Sequence, residues 1–335
     1  MSLTEIFASQ LRKLREAAGM SQDALAHRAG IDRTYVGQLE RCLKSPTLQT
    51  VEKLSTVLEV SPAQLVRSST APPDADVPAA NAYHIREHRE LTVTRAPGSD
   101  VKISTTAMML AVDVAHGLID ELYAYDLDVA EILGLRNLSA FVGELLASAI
   151  VRVTGGALRS NPHQDGYPDL LLMDEVGAAE WDRLEKIGSL VDKAPFSPFS
   201  GGGFEVKATC GSIPSPKQAQ RRSINRPQPG EQRIDVLTGY DWKAHHRDTN
   251  NLIGLLWDFV GRRPRITALF YSSVLVIDDW GAIVQPKEGR GRITSVSIMR
   301  SPGIRKMYDG WICVLKEGGY AEFLNHKNRG DLIPV

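Results

Sequence analysis

Cysteine is scarce, with three in 335 residues. Cys42, Cys210 and Cys313 stand far apart in an odd number, which excludes a disulfide framework and the paired spacing of a structural zinc site and points to a reducing compartment. Neither sign of charge is in excess: 39 Lys and Arg face 40 Asp and Glu, for a net charge of −1. That excludes wholesale coating of nucleic acid but leaves room for a local basic face, because exposed charges act within about 10 Å at ordinary salt. No run approaches the roughly 18 apolar residues of a membrane span. The opening Met-Ser-Leu-Thr-Glu has no basic region followed by an apolar one, so the expectation is a soluble, cytoplasmic chain. Internal repeats and low-complexity tracts are also lacking.

What is present is apolar matter for a sizeable core, 43% hydrophobic against 24% charged. The length exceeds one comfortable core and predicts two domains, a small one and one of about two hundred residues or more. Residues 1–68 carry Ala, Leu and charges at helical spacing. The run Ser68-Ser69-Thr70-Ala71-Pro72-Pro73 and onward to Pro78 has no apolar face to bury, so residues 69–100 read as linker or irregular. Residues 101–335 mix helical periodicity (Met108 to Ile132, Leu138 to Val151) with short apolar runs that read as strands (Leu170 to Met173, Phe204 to Thr209, Leu252 to Val260, Ile266 to Val274). The second domain is therefore α/β or α+β.

In the first domain Ile6, Leu11 and Leu14 form a helical stripe ending at Gly19, and Ser21 caps a second helix bearing Leu25, Ala26 and Ala29. Gly30 makes the turn to a third helix, Asp32 to Glu40, with Tyr35, Val36 and Leu39 inward and Arg33, Thr34 and Gln38 outward. Pro46 and Thr47 open a fourth helix on Val51, Leu54 and Leu58, and Ser61-Pro62 starts a short fifth. Ser21-Gln22, Leu25-Ala26, Ala29-Gly30-Ile31, Tyr35-Val36, Leu39-Glu40-Arg41, Pro46-Thr47-Leu48 and Lys53-Leu54 together resemble the phage-repressor-like (XRE-type) helix-turn-helix family. The resemblance implies an all-α, five-helix DNA-binding domain whose third helix enters the major groove, with Arg33, Thr34 and Gln38 as base readers. Gln22 would contact phosphate or base at a helix N-terminus.

In the second domain Tyr167-Pro168-Asp169 precedes one strand-like run, and Glu205-Val206-Lys207 sits within another. Strand alternation puts Glu205 and Lys207 on one face with Val206 toward the core. Asp169 and Glu205 offer hard oxygens to Mg²⁺, with the Val206 carbonyl, waters and a scissile phosphate completing its shell. Lys207 beside the bound water would favour hydroxide and hold the nucleophile. This set resembles the PD-(D/E)XK nuclease superfamily, to which many type II restriction endonucleases belong. The resemblance implies an α/β restriction-endonuclease-like core, a mixed sheet flanked by helices, and a helical glutamate at the metal site, for which Glu144 reads as a buried acid in the right place; a solvated helix face is its alternative.

Basic residues follow in two loops, Lys217, Arg221, Arg222, Arg226 and Arg233, then Lys287, Arg290 and Arg292, and their charge and Gly/Pro content suit contacts to DNA. Trp242 to Asn250, with His245, His246 and Arg247, reads as a helix projecting toward DNA. His84-Ile85-Arg86-Glu87-His88 matches an inverted zinc-protease string but has no apolar face to bury a zinc helix, and reads as a solvated segment. Gly201-Gly202-Gly203 leads into a strand and is a turn, not a phosphate loop. The expectation is a Mg²⁺-dependent type II restriction endonuclease, homodimeric because a symmetric duplex target needs two active sites. The alternatives are a transcription regulator with a ligand-sensing or dimerising second domain, and a repair or modification-dependent nuclease.

Overall fold

The computed structural model describes residues 3–58, 60, 62, 65, 82–87, 90–94, 100–125, 128–163, 166–191, 203–245, 247, 250–285 and 295–335. The chain divides into two compact units, residues 1–75 and 76–335.

The first unit contains α1 (Leu3–Ala17), α2 (Gln22–Ala29), α3 (Arg33–Glu40) and α4 (Leu48–Val57). Each of the last three starts where a polar side chain satisfies a free amide: Ser21 accepts from Ala24 N, Asp32 from Thr34 N and Thr47 from Thr50 N. Gly30, at φ +59, ends α2 in the left-handed region that a side chain rarely adopts. The apolar stripes meet in one core of Phe7, Leu11, Leu25, Ala26, Val36, Leu39, Val51 and Leu54 with their neighbours. Each fully buried Leu or Phe contributes about 1.5–3 kcal/mol. Leu65 also joins this core, while most of the expected fifth helix lies outside the described residues.

The second unit is built on a seven-stranded mixed sheet: β1 (Tyr83–Ile85), β4 (Leu158–Ser160), β5 (Leu170–Leu172), β6 (Gly203–Thr209), β8 (Leu252–Val260), β9 (Arg263–Ser272) and β11 (Trp311–Leu315). Their spatial order is β1-β11-β9-β8-β6-β5-β4. β6 and β8 run parallel, and the other neighbours are antiparallel. Two small ribbons pair β2 (Glu90–Thr94) with β3 (Asp100–Ser104) and β7 (Lys243–Ala244) with β10 (Ser297–Ile298). The helices are α5 (Thr105–Tyr123), α6 (Val129–Val153), α7 (Glu175–Lys186), α8 (Pro216–Arg221), α9 (Ser301–Asp309) and α10 (Tyr320–Asn328). α6 bends at Gly134 (φ +65, ψ 161) and packs on β6 at Gly143, where a Cβ would meet Ala208 Cβ at 3.4 Å. α6 is also long and apolar enough, by length and composition alone, to cross a membrane, although the sequence shows no unbroken apolar run. Its buried face, Leu138, Val142, Leu146 and Ile150, packs in the same core as the sheet.

Three expectations give way here. Tyr83–Ile85 and Glu90–Thr94 are strands inside the stretch read as linker: β1 pairs with β11, and Tyr83 Oη donates to Ile266 O at 2.5 Å. The same pairing makes His84 and Ile85, the start of the string read as solvated, part of an edge strand, and His88 lies outside the described residues. Among the described residues of Trp242 to Asn250 none is helical: Trp242 and Ala244 alternate inward with Lys243 and His245 outward, the period of the strand β7.

Candidate functional site

Among the described residues β5 and β6 pair at Leu170 with Phe204 and Leu171 with Gly203, and toward Asp169 side-chain bonds take the place of the backbone ladder. Asp169 N donates to Glu205 Oε2 (3.3 Å) and Val206 N donates to Asp169 Oδ2 (2.8 Å). Lys207 Nζ reaches both carboxylates, at 3.1 Å to Asp169 Oδ2 and 2.5 Å to Glu205 Oε1. The structure thus brings Asp169, Glu205 and Lys207 into one cluster, as the strand alternation requires. Glu205 N donates to Asn251 O on the far side of the strand. The N–H and C=O of one strand residue point to the same edge, so the Val206 carbonyl faces the Asp169 side.

The cluster's electrostatics follow from its burial. Glu205 is 4% exposed, and desolvation pushes its carboxyl up to about 7; the Lys207 ammonium opposes that shift and the Asp169 charge adds to it. Burial alone would lower Lys207, but Glu205 and Asp169 outweigh it and hold the ammonium above the ordinary lysine value. Glu144 on α6 is also raised, by partial burial and then by Asp169, with Lys207 opposing. Its side chain lies exposed at the rim and is only partly desolvated, rather than sitting in the core as expected, because the helix turns Val142, Gly143 and Leu146 inward.

Among the described residues no three His, Cys, Asp or Glu side chains group as a metal cage, and Glu144 does not complete one. Two carboxylates suffice for Mg²⁺, which keeps most of its waters. Asp169 and Glu205 fit that ion: they are hard oxygen donors that already share a cationic group, and a backbone carbonyl points to the same edge.

The basic residues sort into three kinds. Lys217, Arg221, Arg222 and Arg226 are exposed on α8 and the loop after it, where Ser215 and Gln218 form a capping box. Arg233 is buried at 5% exposure, with its guanidinium on Gly211 O at 3.4 Å and its own amide on the Asp258 carboxylate, which removes it from any DNA surface. Arg247 is half-buried and spent on carbonyls, Ile277 O at 2.9 Å and Trp280 O at 3.4 Å, so it braces a turn. His245 is exposed, with Nδ1 at 3.0 Å from Ser295 O. His246, Lys287, Arg290 and Arg292 lie outside the described residues.

In the first unit Arg33 and Thr34 are exposed at the start of α3, and Gln38 is half-buried. Arg33 pairs with Asp23 at 2.5 Å across exposed surface, an ion pair of little weight. Gln22 donates to Glu40 Oε2 at 2.7 Å, and Arg15 grips the same carboxylate at 2.6 and 3.1 Å. Sequence reasoning missed this buried pair. The signal was an arginine four residues after Leu11, on the apolar face of α1.

The helix-turn-helix family model HTH_3 matches residues 11–65. The control protein C.SmaI of Serratia marcescens is 36% identical over 66 residues, 20% of this chain and 79% of that protein. The control protein C.BamHI of Bacillus amyloliquefaciens is 33% identical over 66 residues, 19% of this chain and 82% of that protein. The transcriptional regulator SinR of Bacillus subtilis is 35% identical over 57 residues, 17% of this chain and 51% of that protein. With its caps, turn glycine and core placed as described, the chain belongs, through its first unit, to the helix-turn-helix family of DNA-binding domains.

Proposed function

We propose that this protein is a Mg²⁺-dependent deoxyribonuclease of the type II restriction-endonuclease kind, with a PD-(D/E)XK core in its second unit and an accessory helix-turn-helix module in its first. The observation that carries the reading is the meeting of Asp169, just before β5, and Glu205, on the neighbouring β6, at the ammonium of Lys207. Asp169, Glu205 and the Val206 carbonyl would hold Mg²⁺, which when bound stabilises charge on a scissile phosphate and acidifies a water. Lys207 would then turn from its two carboxylates toward that water and the phosphate, orienting the nucleophile in a site poor in bulk solvent. Glu144 at the rim adds a third negative group within range of Asp169. Lys217, Arg221, Arg222 and Arg226 would neutralise backbone phosphates of duplex DNA, and Arg33, Thr34, Gln38 and Gln22 would do so and read bases at the other module. Cutting both strands of a symmetric site calls for a homodimer, and the reading places the protein in the cytoplasm.

A second reading is favoured by the relatives, which are named as control proteins and a transcriptional regulator. In it the chain represses or activates transcription and Asp169, Glu205 and Lys207 form only a structural ion network. Incubating the full chain with methylated and unmethylated plasmid DNA and Mg²⁺ decides between them. The nuclease reading expects discrete cleavage that is lost in Lys207→Ala while DNA binding persists. Binding to an operator without any cleavage would establish the regulator.

A further inference from the structure

The peptide that joins Pro168 to Asp169 is held at both ends. Its N–H, on Asp169, donates to Glu205 Oε2 at 3.3 Å, and its carbonyl, on Pro168, accepts from Asn161 Nδ2 at 3.1 Å. A peptide unit is planar, so a bond to one end fixes the direction of the other. Asn161 makes two further bonds in the same turn: its backbone N–H donates to Asp169 O at 2.9 Å, and its Oδ1 accepts from His163 N at 3.0 Å. It sits one residue beyond Ser160, which faces Leu170 across the β4–β5 pair, so it continues the ladder directly opposite Asp169. Gly166 backs onto the amide, and a Cβ there would overlap the Asn161 side chain.

We propose that Asn161 is a positioning residue for the Asp169–Glu205 pair, clamping the Pro168–Asp169 peptide so that both carboxylates hold one geometry. This rests on the nuclease reading for its catalytic meaning, but the clamp itself is a property of the metal-free protein. Asn161 lies outside the proposed ligand set and acts through its bonds to Pro168 O and Asp169 O. A shift of about 1 Å in a reacting group costs about a hundredfold in rate, so loss of the clamp lowers kcat and leaves the KM for DNA, set by the exposed basic residues, unchanged.

The test uses the metal-free full chain and the variants Asn161→Ala, Asn161→Asp and Gly166→Ala. Amide hydrogen exchange is read by NMR at Asp169 and Val206, whose N–H groups are bonded to Glu205 and Asp169. Exchange at both is expected to rise on the order of tenfold, as is also expected at Val206 in Asp169→Ala, which removes its acceptor, while the amide of Leu256 in the buried strand β8 should be unchanged. Unaltered exchange at Asp169 and Val206 in Asn161→Ala overturns the proposal. Should the alanine variant fail to fold, Asn161→Asp decides, since it keeps the acceptor for His163 and lacks the donor for Pro168. Plasmid cleavage with Mg²⁺ forms the second arm: a kcat equal to wild type in a variant with altered exchange also overturns it. A wild-type chain that cuts nothing removes the nuclease reading, and the exchange rates still decide the clamp.

Discussion

Replacing Glu40 by alanine removes the acceptor of three bonds in the first unit, two from Arg15 and one from Gln22. The side chains of Arg15 and Glu40 are 10% and 4% exposed, so the guanidinium left behind keeps only Met20 O, at 2.8 Å, and a distant share of Glu16. Breaking a buried pair from one side costs about 3–5 kcal/mol because the survivor stays desolvated. A small domain holds only about 5–15 kcal/mol in all, so Glu40→Ala should bring this unit close to unfolding. The double replacement Arg15→Leu with Glu40→Leu removes both charges and keeps apolar volume, and is expected to recover most of the loss. All five tryptophans lie in the second unit, which separates the signals: in urea their fluorescence reports that unit alone, while far-UV circular dichroism reports both. With a slope of about 1–3 kcal/mol per molar urea, a loss of about 3–5 kcal/mol should move the helical transition of the first unit down by about 1–5 M and leave the tryptophan transition in place. The reasoning is refuted by a loss under about 1 kcal/mol in Glu40→Ala, or by a double variant no more stable than the single.

Glu205 should titrate near 7 in the metal-free protein by carboxyl ¹³C NMR, higher still in Lys207→Met and lower in Asp169→Asn, since the ammonium lowers it and the neighbouring carboxylate raises it. Because its folded value lies above the ordinary 4.5, the stability it contributes is full below about 4.5 and is lost as pH rises through about 7; a midpoint below 5 contradicts the described burial. Gly203→Ala would drive a Cβ into the Leu170 carbonyl at φ +152, a backbone clash that parts β5 from β6. It should cost about 1–3 kcal/mol in a melting experiment and, in the proposed nuclease, abolish cleavage; a variant as stable as wild type would show the close approach to be dispensable. Replacing Arg221, Arg222 and Arg226 together by alanine should flatten the plot of log affinity for duplex DNA against log salt by about 0.9 per lost phosphate contact. An unchanged slope would take the α8 loop away from DNA.

Much of this was legible in the sequence because it is local. Ser21, Asp32, Thr47 and Gly30 announce helix ends through chemistry acting over three or four residues. Pro168-Asp169 and Glu205-Val206-Lys207 flank apolar runs, and alternation alone puts Glu205 and Lys207 on one side of β6. What escaped depends on partners distant in the chain. β1 is three residues long and becomes a strand only because β11 pairs with it. Arg263 and Arg265 lie in a strand buried along its whole length, paired there with Asp120 of α5 at 2.7 and 2.5 Å. Arg233 looked like one of a basic loop, but the buried Asp258 carboxylate holds its backbone and draws it inward. The alternation of Trp242 and Ala244 against Lys243 and His245 was readable, yet two residues of strand are too few to outweigh a helical expectation.

The proposed nuclease requires a divalent cation between Asp169 and Glu205. Titrating Mn²⁺ into the full chain, with free ion followed by electron paramagnetic resonance, should show a site that disappears in both Asp169→Asn and Glu205→Gln while each variant keeps its wild-type fold. A wild-type chain that takes up no Mn²⁺, or one whose uptake survives both substitutions, would contradict it.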